Sequence, residues 1–514
     1  MQKLSLSIQD FENLRTQKCV YVDKTEFVHA IADTYGAYFL ARPRRFGKSL
    51  FLSTLKSLFE GKKELFEGLW IENKWDWTRR NPVIHLSFLQ MGYQNVGLDI
   101  AISKELIRYF KQYELVPKEE SYELLFKELI HVLHEKHGKI VLLIDEYDKP
   151  IIDYLENEDL EEARKNQRIM KTFYSVLKDS EAYFHLTFIT GVSKFTKVSL
   201  FSDLNHLTDL TVDKTVSQAF GYTQAEIEHF FEERLTNFLE NNKKHYTKES
   251  LMLKIKEWYN GYSWDGESRL YNPFGFLNFL HHQDFRNFWF SSGTPTFLIN
   301  RMLREDYFKL ENIETTFSFL DQYSLENVEI TSLLFQTGYL TIRELQEDGA
   351  LVLDYPNREV RESMYQFLMK DLGHRREAGL ITVKHLHQAF QKNDLEQAEE
   401  ILQNVFADLP YDVYTRQTEA LYHGLIHILF KCLGIRIESE VHTARGRADA
   451  IVTTATHIYI FEFKQHKTAT EAMTQLKNRN YAAKYRATQK TSVGIGVNFD
   501  KTLREFEPWL IENL

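Results

Sequence analysis

The sequence has little cysteine. Cys19 and Cys432 are the two cysteines among 514 residues, and they lie far apart along the chain. A framework of several disulfides is therefore excluded, and this usage is typical of a protein from a reducing compartment.

Long apolar runs are also missing. None approaches the roughly 18 to 20 residues that a helix needs to cross a bilayer. The segment after Met1 lacks the apolar core of a signal peptide. We therefore expect a cytoplasmic protein without a membrane partner.

The chain has no excess of basic charge. It contains 63 lysines and arginines against 73 aspartates and glutamates, which gives a net charge of −10. No global basic field attracts nucleic acid, so any contact with DNA must use a local patch. Hydrophobic residues make up 43% of the chain, enough for sizeable cores, and the length predicts two to four domains.

One strand-to-helix junction carries the second half of a phosphate-binding loop. Gly47-Lys48-Ser49 matches the end of the pattern G-x-x-x-x-G-K-[ST], but Arg42 stands where the pattern has glycine. An apolar run over 38–41 predicts a buried strand before the loop, and helical spacing follows it. In such a loop Lys48 reaches the β- and γ-phosphates and the Ser49 hydroxyl ligates Mg²⁺. An ordinary basic turn with solvated arginines is the alternative. Eight residues are predicted to bind nucleotide: Arg42, Pro43, Arg44, Arg45, Phe46, Gly47, Lys48 and Ser49.

Two further apolar runs end in polar side chains. The aliphatic run 140–144 predicts a strand buried on both faces, and Asp145 and Glu146 follow it. Asp145 suits the Mg²⁺ shell, and Glu146 suits activation of the attacking water. Thr190 follows the strand predicted over 184–189, where it would sense the γ-phosphate or simply end the strand. The alternation of strands and helices predicts an α/β P-loop domain over 1–215, with a parallel sheet and helices on both faces.

The rest of the chain predicts two more domains. Over 216–370 the pattern is helical, and it ends in a helix followed by a small hairpin, which is typical of a winged-helix lid. Such a lid binds DNA or packs on the ATPase core. Residues 371–514 are predicted to form connecting helices and an α/β domain of the restriction-endonuclease type.

A second group of charged residues lies near the C-terminus. Asp449 lies in one strand of a predicted hairpin, and Glu462 and Lys464 share a face of the other. Two carboxylates there would hold Mg²⁺, with Lys464 beside them to orient or deprotonate water, as metal-assisted phosphodiester hydrolysis requires. Glu419, near the start of an upstream helix, would also reach the metal, and a basic helix with Gln475 follows. An exposed hairpin with ordinary charges is the alternative.

With these motifs the chain resembles the bacterial AAA-ATPase-like family whose members carry a C-terminal PD-(D/E)XK nuclease-superfamily domain. The resemblance spans nearly the whole chain and implies that Arg42 is the family's usual residue. It also implies ATP binding by Lys48, Ser49 and Asp145, and a metal-dependent nuclease core at Glu419, Asp449, Glu462 and Lys464. Besides the nuclease segment it rests on segments 21–25, 42–49, 144–150, 191–195, 271–273, 289–295, 335–341 and 355–360.

Three functions compete at this point. The leading hypothesis is an ATP-regulated, Mg²⁺-dependent nuclease that acts on DNA. The second is a nucleotide-dependent switch or binding module without cleavage activity, and the third is a motor ATPase that remodels nucleic acid. In one interpretation Arg44 and Arg45 act on a neighbouring subunit's phosphate, which would require a homo-oligomer.

Overall fold

The structure is a computed structural model that forms two compact units. One comprises Met1–Phe297 and Leu310–Val360, and the other comprises Leu298–Lys309 and Arg361–Leu514. The division into 1–215, 216–370 and 371–514 stays a prediction. The described residues are 1–156, 159–194, 207–289, 298–299, 301–302, 305, 307, 310–320, 329–371, 385–407, 436–443, 446–465, 467–485, 488–500 and 505–514.

A five-stranded sheet lies at the centre of the first unit. Its strand order is β2-β3-β4-β1-β5, and every neighbouring pair is parallel. Strand β3, which lies between β2 and β4, is buried along its whole length, which explains its unbroken aliphatic sequence. The predicted parallel α/β sheet is thereby confirmed. The strands are β1 (Gly36–Ala41), β2 (Val83–Ser87), β3 (Ile140–Asp145), β4 (Phe184–Gly191) and β5 (Leu207–Asp209).

Helices cover both faces of this sheet. Phe126 and Phe173 stack on each other in the core cluster that also contains Leu142 of β3. The carboxyl ends of the parallel strands meet at one edge, where ligands bind in open α/β sheets. The helices are α1 (Phe11–Thr16), α2 (Thr25–Ala32), α3 (Lys48–Phe59), α4 (Tyr93–Val96), α5 (Leu98–Gln112), α6 (Tyr122–His137), α7 (Lys149–Glu156) and α8 (Leu160–Asp179).

The remainder of the first unit is helical and ends in a small antiparallel sheet. Its strand order is β6-β8-β7, and the predicted helix followed by a hairpin is present as α14, β7 and β8. Gly338 ends α14 with φ +87°, and a Cβ there would lie 2.8 Å from Pro43. This region therefore packs directly on the loop after β1. Its elements are α9 (Gln224–Phe230), α10 (Glu232–Asn241), α11 (Lys248–Tyr259), α12 (Pro273–His282), β6 (Ile313–Thr315), α13 (Phe317–Leu320), α14 (Ile330–Thr337), β7 (Thr341–Leu345) and β8 (Leu351–Asp354).

The second unit is built on a mixed sheet. The order is β13-β12-β11-β10-β9, with β14 beside β12; β11 and β12 are parallel and the other pairs are antiparallel. None of the helices that can be described has both the length and the apolar character needed to cross a membrane. Helix α15 (Arg358–Asp371) leads into this unit, followed by α16 (Leu395–Ala407), β9 (Arg436–Thr443), β10 (Gly446–Thr453), β11 (His457–Gln465), α17 (Ala469–Arg479), β12 (Thr491–Asp500), β13 (Glu505–Phe506) and β14 (Leu510–Asn513).

Candidate functional site

The loop between β1 and α3 is curved around the side chain of Lys48. Its Nζ donates hydrogen bonds to the carbonyl oxygens of Arg42 at 2.9 Å and Pro43 at 3.1 Å. Gly47 precedes α3 with φ +90°, a left-handed conformation that favours glycine. Burial lowers the pKa of Lys48, while the nearby Glu146 and Asp145 carboxylates oppose that shift. The loop therefore positions an ammonium group at the start of a helix, where anions bind.

Three predicted residues meet at the edge of the sheet. Ser49 Oγ donates a hydrogen bond to Asp145 Oδ2 at 2.5 Å, and Thr190 Oγ1 donates one to Asp145 Oδ1 at 2.7 Å. The contact between Thr190 and Asp145 exists because β3 and β4 are adjacent and parallel, so that their ends coincide, whereas Ser49 reaches Asp145 from the first turn of α3. Hydroxyl and carboxylate oxygens are the hard ligands that Mg²⁺ prefers, and Ser49 and Asp145 therefore fit that ion.

Glu146 follows Asp145 in a left-handed conformation, with φ +53°. Burial raises the pKa of its carboxyl, and the ammonium of Lys48 opposes this effect. Positive φ is uncommon for a residue other than glycine and occurs often at functional sites. Glu146 is therefore a carboxyl with a raised pKa near the ammonium of Lys48.

A cavity of about 410 Å³ is bordered by Lys48, Ser49 and Glu146. Its volume falls within the range of about 300 to 1,000 Å³ that is usual for small-molecule sites. Apolar and aromatic side chains from three separate segments also contribute to its lining. The residues that line the cavity include Leu6, Ile8, Lys24, Arg44, Arg45, Phe46, Gly47, Lys48, Ser49, Glu146, Lys149, Asp153, Tyr222, Phe274 and Leu277.

The side chain of Arg42 lies behind the loop and is fully buried. Its Nη1 donates hydrogen bonds to the carbonyl oxygens of Ala41 and Thr211, and its guanidinium carbon lies 4.2 Å from the ring centroid of Trp264. Burial lowers the pKa of Arg42 to about 9, although Asp209 and Asp265 oppose the shift. In this position the guanidinium packs against aromatic rings, and the carbonyl of Arg42 is the group that contacts Lys48.

Phe46 anchors the loop to the second half of the unit. Its buried ring has centroid distances of 4.8, 5.1 and 6.2 Å to Tyr262, Trp264 and Trp289. Arg45, the preceding residue, places its guanidinium 4.5 Å from the ring of Phe274. The sequence motif does not reveal these contacts, because the aromatic partners lie more than two hundred residues further along the chain.

The second group of charged residues lies on β11 of the other unit. The carboxylate of Glu462 is almost fully buried, and its Oε1 accepts a hydrogen bond from Lys464 Nζ at 2.7 Å. Gln475 of α17 donates to the same oxygen through Nε2. The sequence pattern included Gln475 on a basic helix without assigning it a contact, and the structure places its amide beside Glu462.

Asp449 and Glu419 are the other two predicted metal-binding carboxylates of the nuclease region. Ala450 of β10 pairs with Phe461 of β11 in the antiparallel ladder. Asp449 comes directly before Ala450, and Glu462 comes directly after Phe461. Glu419 lies outside the described residues, as does the side chain of Asp449. Among the side chains that are described, no group of three or more histidine, cysteine, aspartate or glutamate residues forms a metal cluster. The carboxylate of Glu462 nevertheless supplies the kind of oxygen that Mg²⁺ prefers.

Comparison with known proteins matches both regions. Residues 5–201 match a family of predicted AAA-ATPases, and residues 417–509 match the PD-(D/E)XK nuclease superfamily. The whole chain is similar to an uncharacterised protein from the vnfD 5′ region of Azotobacter chroococcum mcd 1. The two are 36% identical over 527 residues, which covers 100% of this chain and 99% of that protein.

Proposed function

The chain belongs to the AAA-ATPase-like family that carries a C-terminal PD-(D/E)XK nuclease-superfamily domain, and on that premise we propose an ATP-regulated nuclease. It binds and hydrolyses ATP in the first unit, and the nucleotide state controls metal-dependent hydrolysis of DNA in the second. The observation that carries the proposal is the convergence of four predicted residues. Lys48 and Ser49 line one cavity, Ser49 donates a hydrogen bond to Asp145, and Thr190 donates another to the same carboxylate.

Each group in the first unit has a defined task. Lys48 binds the β- and γ-phosphates, and the backbone N–H groups at the start of α3 hold their oxygens. Ser49 and Asp145 hold Mg²⁺, which neutralises charge on the phosphates when bound. Glu146 orients the attacking water and accepts its proton, and Thr190 fixes the carboxylate of Asp145. The base fits the apolar wall formed by Leu6, Ile8, Tyr222, Phe274 and Leu277.

The nuclease reaction uses the groups on β10 and β11. Glu462 and Asp449, together with Glu419, hold Mg²⁺, which activates water and stabilises the charged phosphate when bound. Lys464, at 2.7 Å from Glu462, orients or deprotonates the attacking water. We further propose that the protein acts in the cytoplasm, that DNA contacts a local basic surface such as α17, and that the chain associates with copies of itself.

Single substitutions test the two activities separately. Lys48→Ala should lose ATP binding, because it removes the ammonium that holds the phosphates. Lys56→Ala on the same helix should bind ATP like the wild type, since its partner is Glu60.

Glu462→Ala should lose Mg²⁺-dependent DNA cleavage, whereas Glu512→Gln in the same sheet should retain it. Normal ATP binding by Lys48→Ala or normal cleavage by Glu462→Ala would overturn the corresponding half of the proposal.

One observation favours a second candidate, a nucleotide-dependent switch that grips nucleic acid or protein without cutting it. The net charge of −10 is unfavourable for a general nuclease. This candidate predicts ATP binding and no cleavage of single- or double-stranded DNA by the wild-type protein with Mg²⁺.

A further inference from the structure

A second lysine lies beside the nucleotide cavity on the side of Glu146. Lys149 begins α7, and its backbone N–H donates a hydrogen bond to the carbonyl of Glu146 at 3.1 Å. Its side chain lines the same cavity as Lys48 and Ser49. We propose that Lys149 is a catalytic cation of the ATPase site, which contacts the terminal phosphate of bound ATP. This inference rests on the proposed ATPase function.

Lys149 is held in place by a carboxylate. Its Nζ lies 2.8 Å from Asp153 Oδ1, one helical turn further along α7. The other oxygen of Asp153 accepts hydrogen bonds from Tyr93 Oη at 2.7 Å and from Gln94 Nε2 at 3.0 Å. Burial and the Asp153 carboxylate both raise the pKa of Tyr93, so its phenol remains a donor. Three donors thus fix Asp153, and Asp153 fixes the ammonium.

This arrangement differs from an ordinary ion pair on a helix surface. Exposed pairs at this spacing contribute little to stability. The side chain of Asp153, by contrast, is 10% exposed and that of Lys149 is 23% exposed, and both border the cavity. A cation held in this way needs little reorganisation when charge develops on a substrate.

Three other basic residues of the cavity lining have the following contacts. Lys24 Nζ lies 2.5 Å from Glu226 Oε1 and 2.7 Å from the carbonyl of Gln218. Lys48 bonds to the loop carbonyls, and Arg45 lies over Phe274. Lys149 is the lysine that follows Asp145 and Glu146 directly after β3, where the metal ligand and the base are expected. The terminal phosphate, which lies between the metal and the attacking water, is therefore the group that Lys149 reaches.

A terminal-phosphate contact has a specific signature. Charge builds up on the transferred phosphoryl group in the transition state, so removal of one positioned cation should slow hydrolysis by about 10²–10³-fold. ATP carries the γ-phosphate and ADP does not, so the affinity for ATP should fall while that for ADP stays unchanged. A purely structural lysine would alter both affinities together, or neither.

The experiment compares full-length Lys149→Met and Lys149→Arg with wild type. Lys165→Met is the matched control, because Lys165 pairs with Glu162 at 2.9 Å on another helix and is not among the residues lining the cavity. Calorimetry gives the dissociation constants for ATP and ADP with Mg²⁺, and phosphate release gives kcat. We expect Lys149→Met to lose kcat and its preference for ATP, Lys149→Arg to recover part of both, and Lys165→Met to match the wild type.

Several results would overturn the inference. Lys149→Met with wild-type kcat and wild-type affinities would refute it and leave the proposed ATPase function standing. Equal losses of ATP and ADP affinity would assign Lys149 a structural role only. Wild-type protein that binds neither nucleotide would refute the ATPase function itself. Should Lys149→Met not fold, Lys149→Gln, which keeps a hydrogen-bond donor without the charge, gives the same readouts.

Discussion

Phe46 offers a quantitative test of how the nucleotide loop is held. The ring is 1% exposed and contacts Tyr262, Trp264 and Trp289. Truncation of a buried phenylalanine to alanine costs about 3–5 kcal/mol of unfolding free energy. Each lost aromatic pair adds about 0.5–1.5 kcal/mol beyond the area term, so Phe46→Ala should reach the upper end of that range. Phe46→Leu keeps most of the volume and should lose only about 1–2 kcal/mol.

The assay is urea unfolding followed by tryptophan fluorescence, because two of the three partners are tryptophans. Phe230→Ala is the control, since that ring is only partly buried and contacts His229. It should lose less than about 2 kcal/mol. If Phe46→Ala lost no more stability than Phe230→Ala, the loop would not be anchored by its aromatic contacts and the reasoning would fail.

Two further predictions concern buried carboxylates. Burial raises the pKa of Glu359 to about 8, although its Oε1 accepts hydrogen bonds from the backbone N–H groups of Phe288 and Trp289. The unfolded chain releases this proton near pH 4.5, so stability should fall by about 1.4 kcal/mol per pH unit between pH 4.5 and 8. Glu359→Gln should flatten this dependence in urea titrations at several pH values, and an unchanged slope would contradict the assignment. Gln475→Ala should slow DNA cleavage by about 10–100-fold by releasing the carboxylate of Glu462, as loss of a group that supports a metal ligand does. Thr474→Ala on the same helix should cleave normally, because its hydroxyl donates to the carbonyl oxygen of Thr470, and equal rates for the two variants would remove Gln475 from the site.

Much of the fold followed from local patterns. The aliphatic run 140–144 identified a strand buried on both faces, and the Gly-Lys-Ser motif located the start of α3. The rule that ligands bind at the carboxyl ends of parallel strands placed Asp145 at that edge, whereas the hydrogen bonds that Ser49 and Thr190 donate to Asp145 were not predicted.

The surroundings of the loop could not be predicted in the same way. Arg42 packs on Trp264 and Phe46 packs on Tyr262, and each pair is separated by more than two hundred residues. No periodicity connects such segments, and an arginine in a phosphate-binding motif suggests contact with phosphate rather than burial. The role proposed for Lys149 was hidden for a related reason, because the donors on α4 that hold its partner Asp153 meet α7 only once the helices are packed.

The central claim is that nucleotide state in one unit controls cleavage in the other. The most direct measurement is the rate of DNA cleavage with Mg²⁺ as ATP is titrated into wild type and Lys48→Ala. The account predicts that the wild-type rate changes with ATP and saturates at the dissociation constant for ATP, whereas the rate of Lys48→Ala does not respond. A wild-type rate that is the same at every ATP concentration would contradict it.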